Sequence, residues 1–251
     1  MILCVSIGNT NIRCAVGTKE DNQLIYIPTK SIYRAEDFIS SLEKQFNTDV
    51  WGLVRDAVVA SVVTDKTPII SDAIRQKTNK LPQRIDVSRL NIDVSGYKSN
   101  LGEDRAVCCA AALSEYKPPI IVIDLGTATT VNFIDAKGAF IGGAIFVGVQ
   151  TGLNALCEHT SLLPQVNDCQ IVTTIGNNTQ DGLISGAVIG TANMIEGYIN
   201  RIGMDLGATP KIIVTGGNAP MILPHCRFRF VHKPTLLIDE LFSQYKHQQG
   251  G

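Results

Sequence analysis

IIVIDLGTATTV, at residues 120–131, decides how the rest of the 251-residue chain is read. An apolar run enters Asp124; Gly126, Thr127, Thr129 and Thr130 follow, and a second apolar run begins. A short apolar run closed by a turn signal reads as a buried strand. Glycine in such a turn lets backbone approach a ligand closely. Turn amides and threonine hydroxyls cradle a phosphate, and a carboxylate at the strand end holds a cation. Taken alone, the stretch reads equally well as an ordinary hairpin with an acidic turn.

A second copy breaks the tie. Residues 3–12 read LCVSIGNTNI, which sets Val5 on Ile123, Ile7 on Leu125, Gly8 on Gly126 and Asn9 on Thr127. Both copies lead into another apolar run, at residues 12–16 and 130–134. An internal repeat of this kind predicts two related halves. Two phosphate-gripping hairpins describe the actin-like ATPase architecture. The expected fold is therefore α/β, with two tandem actin-like (ribonuclease H-like) halves, mixed sheets and a nucleotide cleft between them. Lys117-Pro118-Pro119 reads as the boundary, giving halves at 1–117 and 118–251. One position fails to repeat, because Asp124 is matched by Ser6.

Composition narrows the setting. Charged residues make up 18% and hydrophobic ones 45%, as in an ordinary globular protein. The net charge is −1, so no basic field invites nucleic acid. The apolar start at residues 2–7 is too short for a signal peptide and lacks a basic leader, and no apolar run reaches the roughly 20 residues of a membrane span. Seven cysteines form no CxxC pair, which predicts reduced thiols and a cytoplasmic protein. The four histidines have no ligand-like spacing for zinc.

In chain order, residues 1–7, 12–17 and 23–28 read as a three-strand meander. Residues 34–46 carry apolar side chains at helical period, 57–63 read as a buried strand, and 67–80 as a helix capped by Thr67 with Pro68 in its first turn. Residues 84–87 read as a short strand, and 106–116 as a helix buried on most sides. The meander then restarts at 120–124, 129–135 and 139–145. Residues 178–203 read as a long helix with Gly182, Gly186 and Gly190 on one face. Each glycine costs a helix about 1 kcal/mol relative to alanine, so something is expected to pack close there. Residues 211–214 read as a strand running into Thr215-Gly216-Gly217-Asn218, where a flat ligand such as adenine could lie against backbone. The tail at 248–251 reads as frayed.

With these residues in hand, the chain resembles the type III pantothenate kinases of the acetate and sugar kinase superfamily. The resemblance rests on IGNTN at 7–11, ASVV at 60–63, Tyr97 followed by GEDR at 102–105, DLGTATT at 124–130, GGAI at 142–145, GNNTQDG at 176–182 and TGG at 215–217. Their order and spacing together are specific where each alone is weak. The resemblance implies transfer of the ATP γ-phosphate to the primary hydroxyl of pantothenate, the first committed step of coenzyme A synthesis. It implies ATP with Mg²⁺ held by Ser6, Ile7, Gly8, Asn9, Thr10, Asn11, Ile12, Arg13 and Thr127. It makes Asp104 the general base and places Tyr97, Gly102, Glu103, Asp104, Arg105 and Thr179 around pantothenate. Thr179 is implied to act across a homodimer interface, and Asp124 to hold a monovalent cation, K⁺ or NH₄⁺. Without the resemblance, Glu103, Asp104 and Arg105 read as a charge cluster at a helix start; with it, Glu103 still reads as a solvated neighbour.

Three positions depart from the family pattern. Ser6 stands where aspartate is expected, Val147 where proline follows the GGAI strand, and Glu240 where glycine is common. Ser6 keeps a second class of function open, a non-catalytic paralogue that binds nucleotide or pantothenate in a regulatory role. A kinase for a sugar or another small alcohol is a third reading, against which the GEDR loop speaks.

Overall fold

A computed structural model describes residues 1–46, 49–169, 172–207 and 209–249. The chain divides into two compact units. Unit 1 comprises Met1–Ile92, Ser99–Ser114 and Thr235–Gly251, and unit 2 comprises Asp93–Lys98 and Glu115–Pro234.

Unit 1 opens with the meander β1 (Ile2–Ile7), β2 (Asn11–Gly17) and β3 (Asn22–Pro28). Helices α1 (Ala35–Phe46) and α2 (Val50–Leu53) follow, then β4 (Asp56–Ser61), α3 (Lys66–Thr78), β5 (Gln83–Arg84) and α4 (Glu103–Glu115). The sheet order is β3-β2-β1-β4-β5, antiparallel through the meander and parallel from β1 to β4 and β5. Helix α1 forms because Phe38, Ile39, Leu42 and Phe46 recur at helical spacing, and all four are buried in the unit's core. Helix α3 begins one residue earlier than expected. Asp65 is its flanking residue, and Thr67 lies inside the first turn, its hydroxyl donating to the Val63 carbonyl at 2.8 Å. The expected strand at 84–87 shrinks to the two residues of β5.

Unit 2 repeats this plan. Strands β6 (Ile120–Leu125), β7 (Ala128–Ile134) and β8 (Phe140–Val147) form the meander. They are followed by α5 (Val149–His159), α6 (Thr179–Leu206), β9 (Lys211–Thr215), α7 (Ala219–Ile222) and β10 (Val231–His232). Here the order is β10-β9-β6-β7-β8, again antiparallel within the meander and parallel across β6, β9 and β10. The two sheets therefore share one strand order and one set of directions, as the repeat predicted. At the edge of this sheet Gly143 has no room for a side chain, since an added Cβ would stand 1.9 Å from the Val131 carbonyl oxygen across the β7–β8 pair. Helix α6 is set at one end by Asn178, whose side chain accepts from the Asp181 amide, and at the other by Gly207 in the left-handed conformation at φ 59°.

The division differs from a single cut between residues 117 and 118. The last helix, α8 (Leu236–Gln249), belongs to unit 1, where Leu236, Leu237, Ile238, Leu241 and Phe242 are all buried. Tyr245 donates to Asp56 of β4 at 2.9 Å, and Lys19 donates to Ser243 at 3.1 Å. The hydrogen bonds from Lys80 and Tyr245 hold the Asp56 carboxyl below its ordinary value. In the opposite sense, residues 93–98 leave unit 1: Asp93 bridges Ala139, and its carbonyl accepts from Phe140 at 2.8 Å. Of the tail expected to fray, residues 248 and 249 close α8 and the final two lie outside the described residues.

Among the described residues, no helix is long and apolar enough to cross a membrane, and no group of three His, Cys, Asp or Glu is arranged to hold a metal ion. All seven cysteines are free.

Candidate functional site

The first glycine turn joins β1 to β2. The Gly8 amide donates to the Asn11 carbonyl at 3.1 Å and closes it. Buried Thr29 then braces it from behind. Its hydroxyl donates to the Gly8 carbonyl at 2.6 Å, and its amide donates to the Thr10 carbonyl at 2.9 Å. With those carbonyls occupied, Asn9, Thr10 and Asn11 lie exposed on the other side. Ser6, one residue before the end of β1, is buried, with Arg13 as its register partner on β2 and Ala60 on β4.

The second turn joins β6 to β7 and is braced more heavily. The Leu125 and Gly126 carbonyls accept from the amide and side chain of Asn218, at 2.8 and 2.9 Å. The Thr127 carbonyl accepts from the Gly148 amide at 3.1 Å and from the Thr151 hydroxyl at 2.8 Å. Two of these contacts require glycine. A Cβ on Gly148 would stand 2.3 Å from the Gly126 carbonyl oxygen. Gly216 has φ +101°, and a Cβ there would stand 2.4 Å from both Asp124 Oδ1 and the Leu125 amide. Gly216 thus serves close packing of the loop after β9 against β6, whereas Gly217 has open space around it.

Register gives Asp124 the place that Ser6 holds in unit 1. Its neighbours are Thr130 on β7 and Thr215 on β9. The Thr130 hydroxyl accepts from Asn132 at 2.9 Å, whereas the fully buried Thr215 hydroxyl has no hydrogen-bond partner. A buried hydroxyl without a partner carries a desolvation cost, which a bound cation beside Asp124 would offset. At equivalent register positions, Asp124 has two threonines as partners and Ser6 has an arginine and an alanine.

The GEDR residues open α4. Helix formation starts at Glu103, earlier than the sequence suggested, so Glu103, Asp104 and Arg105 form its first turn. Asp104 Oδ1 accepts from the Arg105 amide at 2.7 Å. Glu103 is not the solvated neighbour expected. Its Oε2 accepts from the Ser61 amide at 2.8 Å and its Oε1 from Arg84 at 2.5 Å. The Glu103 carboxylate therefore fastens the start of α4, directly beside Asp104, to the ends of β4 and β5. Ser61 lies in the ASVV stretch but without an assigned role, and nothing in the sequence marks Arg84.

The remaining candidates lie in unit 2. Tyr97 is half-buried and packs edge-to-face on Phe140, with ring centroids 5.1 Å apart. Thr179 is the exposed first residue of α6, and Thr127 is exposed on its turn. Unit 1 thus carries Ser6 to Arg13 and Gly102 to Arg105, and unit 2 carries Tyr97, Asp124, Thr127 and Thr179. Gly148, Thr151 and Asn218 support the turn from outside it; Asn218 lies in the strand end already singled out, while Gly148 and Thr151 carry no sequence signal of that role.

A sequence model of the family described as type III pantothenate kinase matches residues 2–201. A type III pantothenate kinase of Desulforapulum autotrophicum is 33% identical over 236 residues, covering 88% of this chain and 87% of that one. Another, from Roseiflexus sp., is 30% identical over 258 residues, covering 98% of each. Among solved structures, a putative Baf family transcriptional activator from Campylobacter jejuni aligns with TM-score 0.64 at 15% identity, over 99% of this chain and all of that one. An archaeal actin homologue aligns with TM-score 0.52 at 12% identity, over 100% and 99% of the two chains. At such identities the structures speak for the shared actin-like fold alone.

The Glu103 clamp has a measurable consequence. Glu103→Ala leaves the Ser61 amide without its acceptor and is expected to cost about 1 to 2 kcal/mol in urea unfolding. Glu103→Gln keeps an acceptor and is expected to lose less, because the half-exposed Arg84 pair contributes little. Equal stability of Glu103→Ala and wild type would mean that the clamp does not anchor α4.

Proposed function

The chain belongs to the type III pantothenate kinase family and is an ATP-dependent pantothenate kinase, and we propose that Asp104 is the base that takes the proton from the substrate's primary hydroxyl. The reaction yields 4′-phosphopantothenate, at the entry to coenzyme A synthesis. The observation that carries the assignment of roles is the duplicated, carbonyl-braced glycine turn, together with a clamped carboxylate turn at the start of α4.

Phosphoryl transfer depends on positioning and charge neutralisation more than on covalent help. The hydroxyl oxygen forms a bond to the γ-phosphorus as the bond to the β–γ bridging oxygen breaks, and the hydroxyl proton passes to Asp104. One Asp104 oxygen is fixed by the Arg105 amide, which leaves the other to receive the proton. Arg105 offers a planar fork to the pantothenate carboxylate. Tyr97, Gly102 and Thr179 complete the substrate's surroundings. The residues from Ser6 to Arg13, and Thr127, take the phosphates, with Arg13 supplying positive charge. Both Asp104 and Asp124 are present, so the non-catalytic reading has only Ser6 in its favour.

Two ions accompany the reaction. Beside Asp124, the oxygens of Thr130 and Thr215 suit a K⁺ or NH₄⁺ ion. Beside Ser6 the fit to a protein-held Mg²⁺ is poor, because the donors are neutral and Arg13 is the register neighbour. Mg²⁺ prefers charged oxygens and keeps its waters, so here it is carried by the nucleotide's phosphates. We place the enzyme in the cytoplasm, where seven free cysteines persist as thiols.

We assign a homodimer on the glycine face of α6. Gly182, Gly186 and Gly190 are exposed, and a Cβ on any of them would meet nothing within 4 Å. Among the described residues, none supplies the close-packed partner expected from the sequence, and a second copy would supply it.

Asp104→Asn keeps the shape but not the base, and its turnover is expected to fall on the order of 10²- to 10⁴-fold with ATP affinity little changed. Near wild-type turnover would remove Asp104 from that role. Gly186→Leu is expected to weaken the dimer and the activity together; an active monomer seen by light scattering at assay concentration would contradict the interface. Ser6→Asp is expected to lower the Mg²⁺ concentration for half-maximal rate and to help most at limiting Mg²⁺. Superimposable Mg²⁺ titrations, or a raised requirement, would sink the reading of Ser6.

A further inference from the structure

At the opposite end of the unit 2 sheet from Asp124 lies a groove of about 630 Å³. It opens where the chain approaching β10 diverges from β9: β10 pairs with β9 only at Val231 and His232, against Ile213 and Val214. Residues 228–230 therefore lie alongside the start of β9 without joining the sheet. Ile199, Ile212, Phe228 and Phe230 line the groove with apolar surface, and the two phenylalanines meet edge-to-face at 5.7 Å. Its remaining lining includes three cations, Lys117, Lys211 and Arg229, all exposed.

Those cations are not balanced locally. Among the described residues, no carboxylate lies within ion-pair reach of Lys117, Lys211 or Arg229. The nearby acids are already engaged. Glu115 pairs with Lys233 at 2.6 Å, and Glu196 accepts from the Arg227 amide. Lys211 instead stands 5.8 Å from the centre of the Tyr116 ring. Apolar and aromatic walls with a few convergent charges are the usual make-up of a small-molecule site, and the volume falls within the usual range.

We propose that this groove is a second ligand site, for a small molecule that joins a flat ring to a phosphate. The ring lies against Phe228, Phe230, Ile199 and Ile212. Three cations, one a planar guanidinium, favour a dianionic phosphate over a single carboxylate. The groove is distinct from the phosphate-binding turns, since Pro119 and Lys211 are separated from Asp124 and Thr215 by most of a strand, roughly 13 Å at strand rise.

The probe is 1-naphthyl phosphate, titrated by its fluorescence against the full chain with saturating non-hydrolysable ATP analogue present. One site per chain is expected, with 1-naphthol and inorganic phosphate each binding at least tenfold more weakly than the joined molecule. Lys211→Glu/Arg229→Glu is expected to weaken the probe at least tenfold, while the exposed control Lys137→Glu leaves it unchanged. If the double variant does not fold, Lys117→Glu alone is expected to weaken binding severalfold. Unchanged affinity in the charge-reversed variants would overturn the proposal, as would equal binding of naphthol or inorganic phosphate. Kinase turnover is not part of the readout, so loss of the catalytic reading leaves this test intact.

Discussion

What the candidate site depends on is where backbone carbonyls point. A turn that is to receive an anion must not present its own oxygens to it. In the turn after β6, the carbonyls of Leu125, Gly126 and Thr127 are all taken by donors from Gly148, Thr151 and Asn218. The turn's own carbonyl oxygens are thereby turned away from its open side, as a turn that is to receive an anion requires. The bracing needs backbone against backbone, so Gly148 and Gly216 have no space for a methyl group. The turn after β1 reaches the same end with a single buried residue, Thr29.

The two turns are copies in topology but not in electrostatics. Asp124 lies between two threonines and Ser6 between an arginine and an alanine, at equivalent register positions. A carboxylate among hydroxyls concentrates negative potential and suits a cation; a hydroxyl beside a guanidinium suits an anion. The two hairpins thus share a backbone plan and differ in charge at one register position.

Much of this was legible because the repeat is a matter of apolar period and glycine placement, and both survive in one sequence. The two meanders and their repeat followed from Val5, Ile7, Gly8 and their counterparts Ile123, Leu125 and Gly126. Helix α8 was not legible as a helix. Leu236, Leu237, Ile238, Leu241 and Phe242 are buried on more than one side, so no amphipathic stripe marks it. Its return to unit 1 depends on long-range partners such as Asp56 and Lys19, which local pattern does not encode. Glu103 was misread for a related reason. A charged residue in a charge cluster looks solvated until the Ser61 amide and Arg84 are found on its carboxylate.

The return of α8 bears on how the protein emerges during synthesis. Unit 1 is assembled from three separate stretches, and its last helix is translated after all of unit 2. Until then the surface of β1 and β4 that receives α8 has no cover, and the apolar residues of α8 have nowhere to bury. Unit 2, by contrast, has nearly all of its sequence in one continuous run and can close while the ribosome is still at work. The half translated first is thus the half completed last, so premature termination near residue 235 would release a chain with one finished unit and one open sheet.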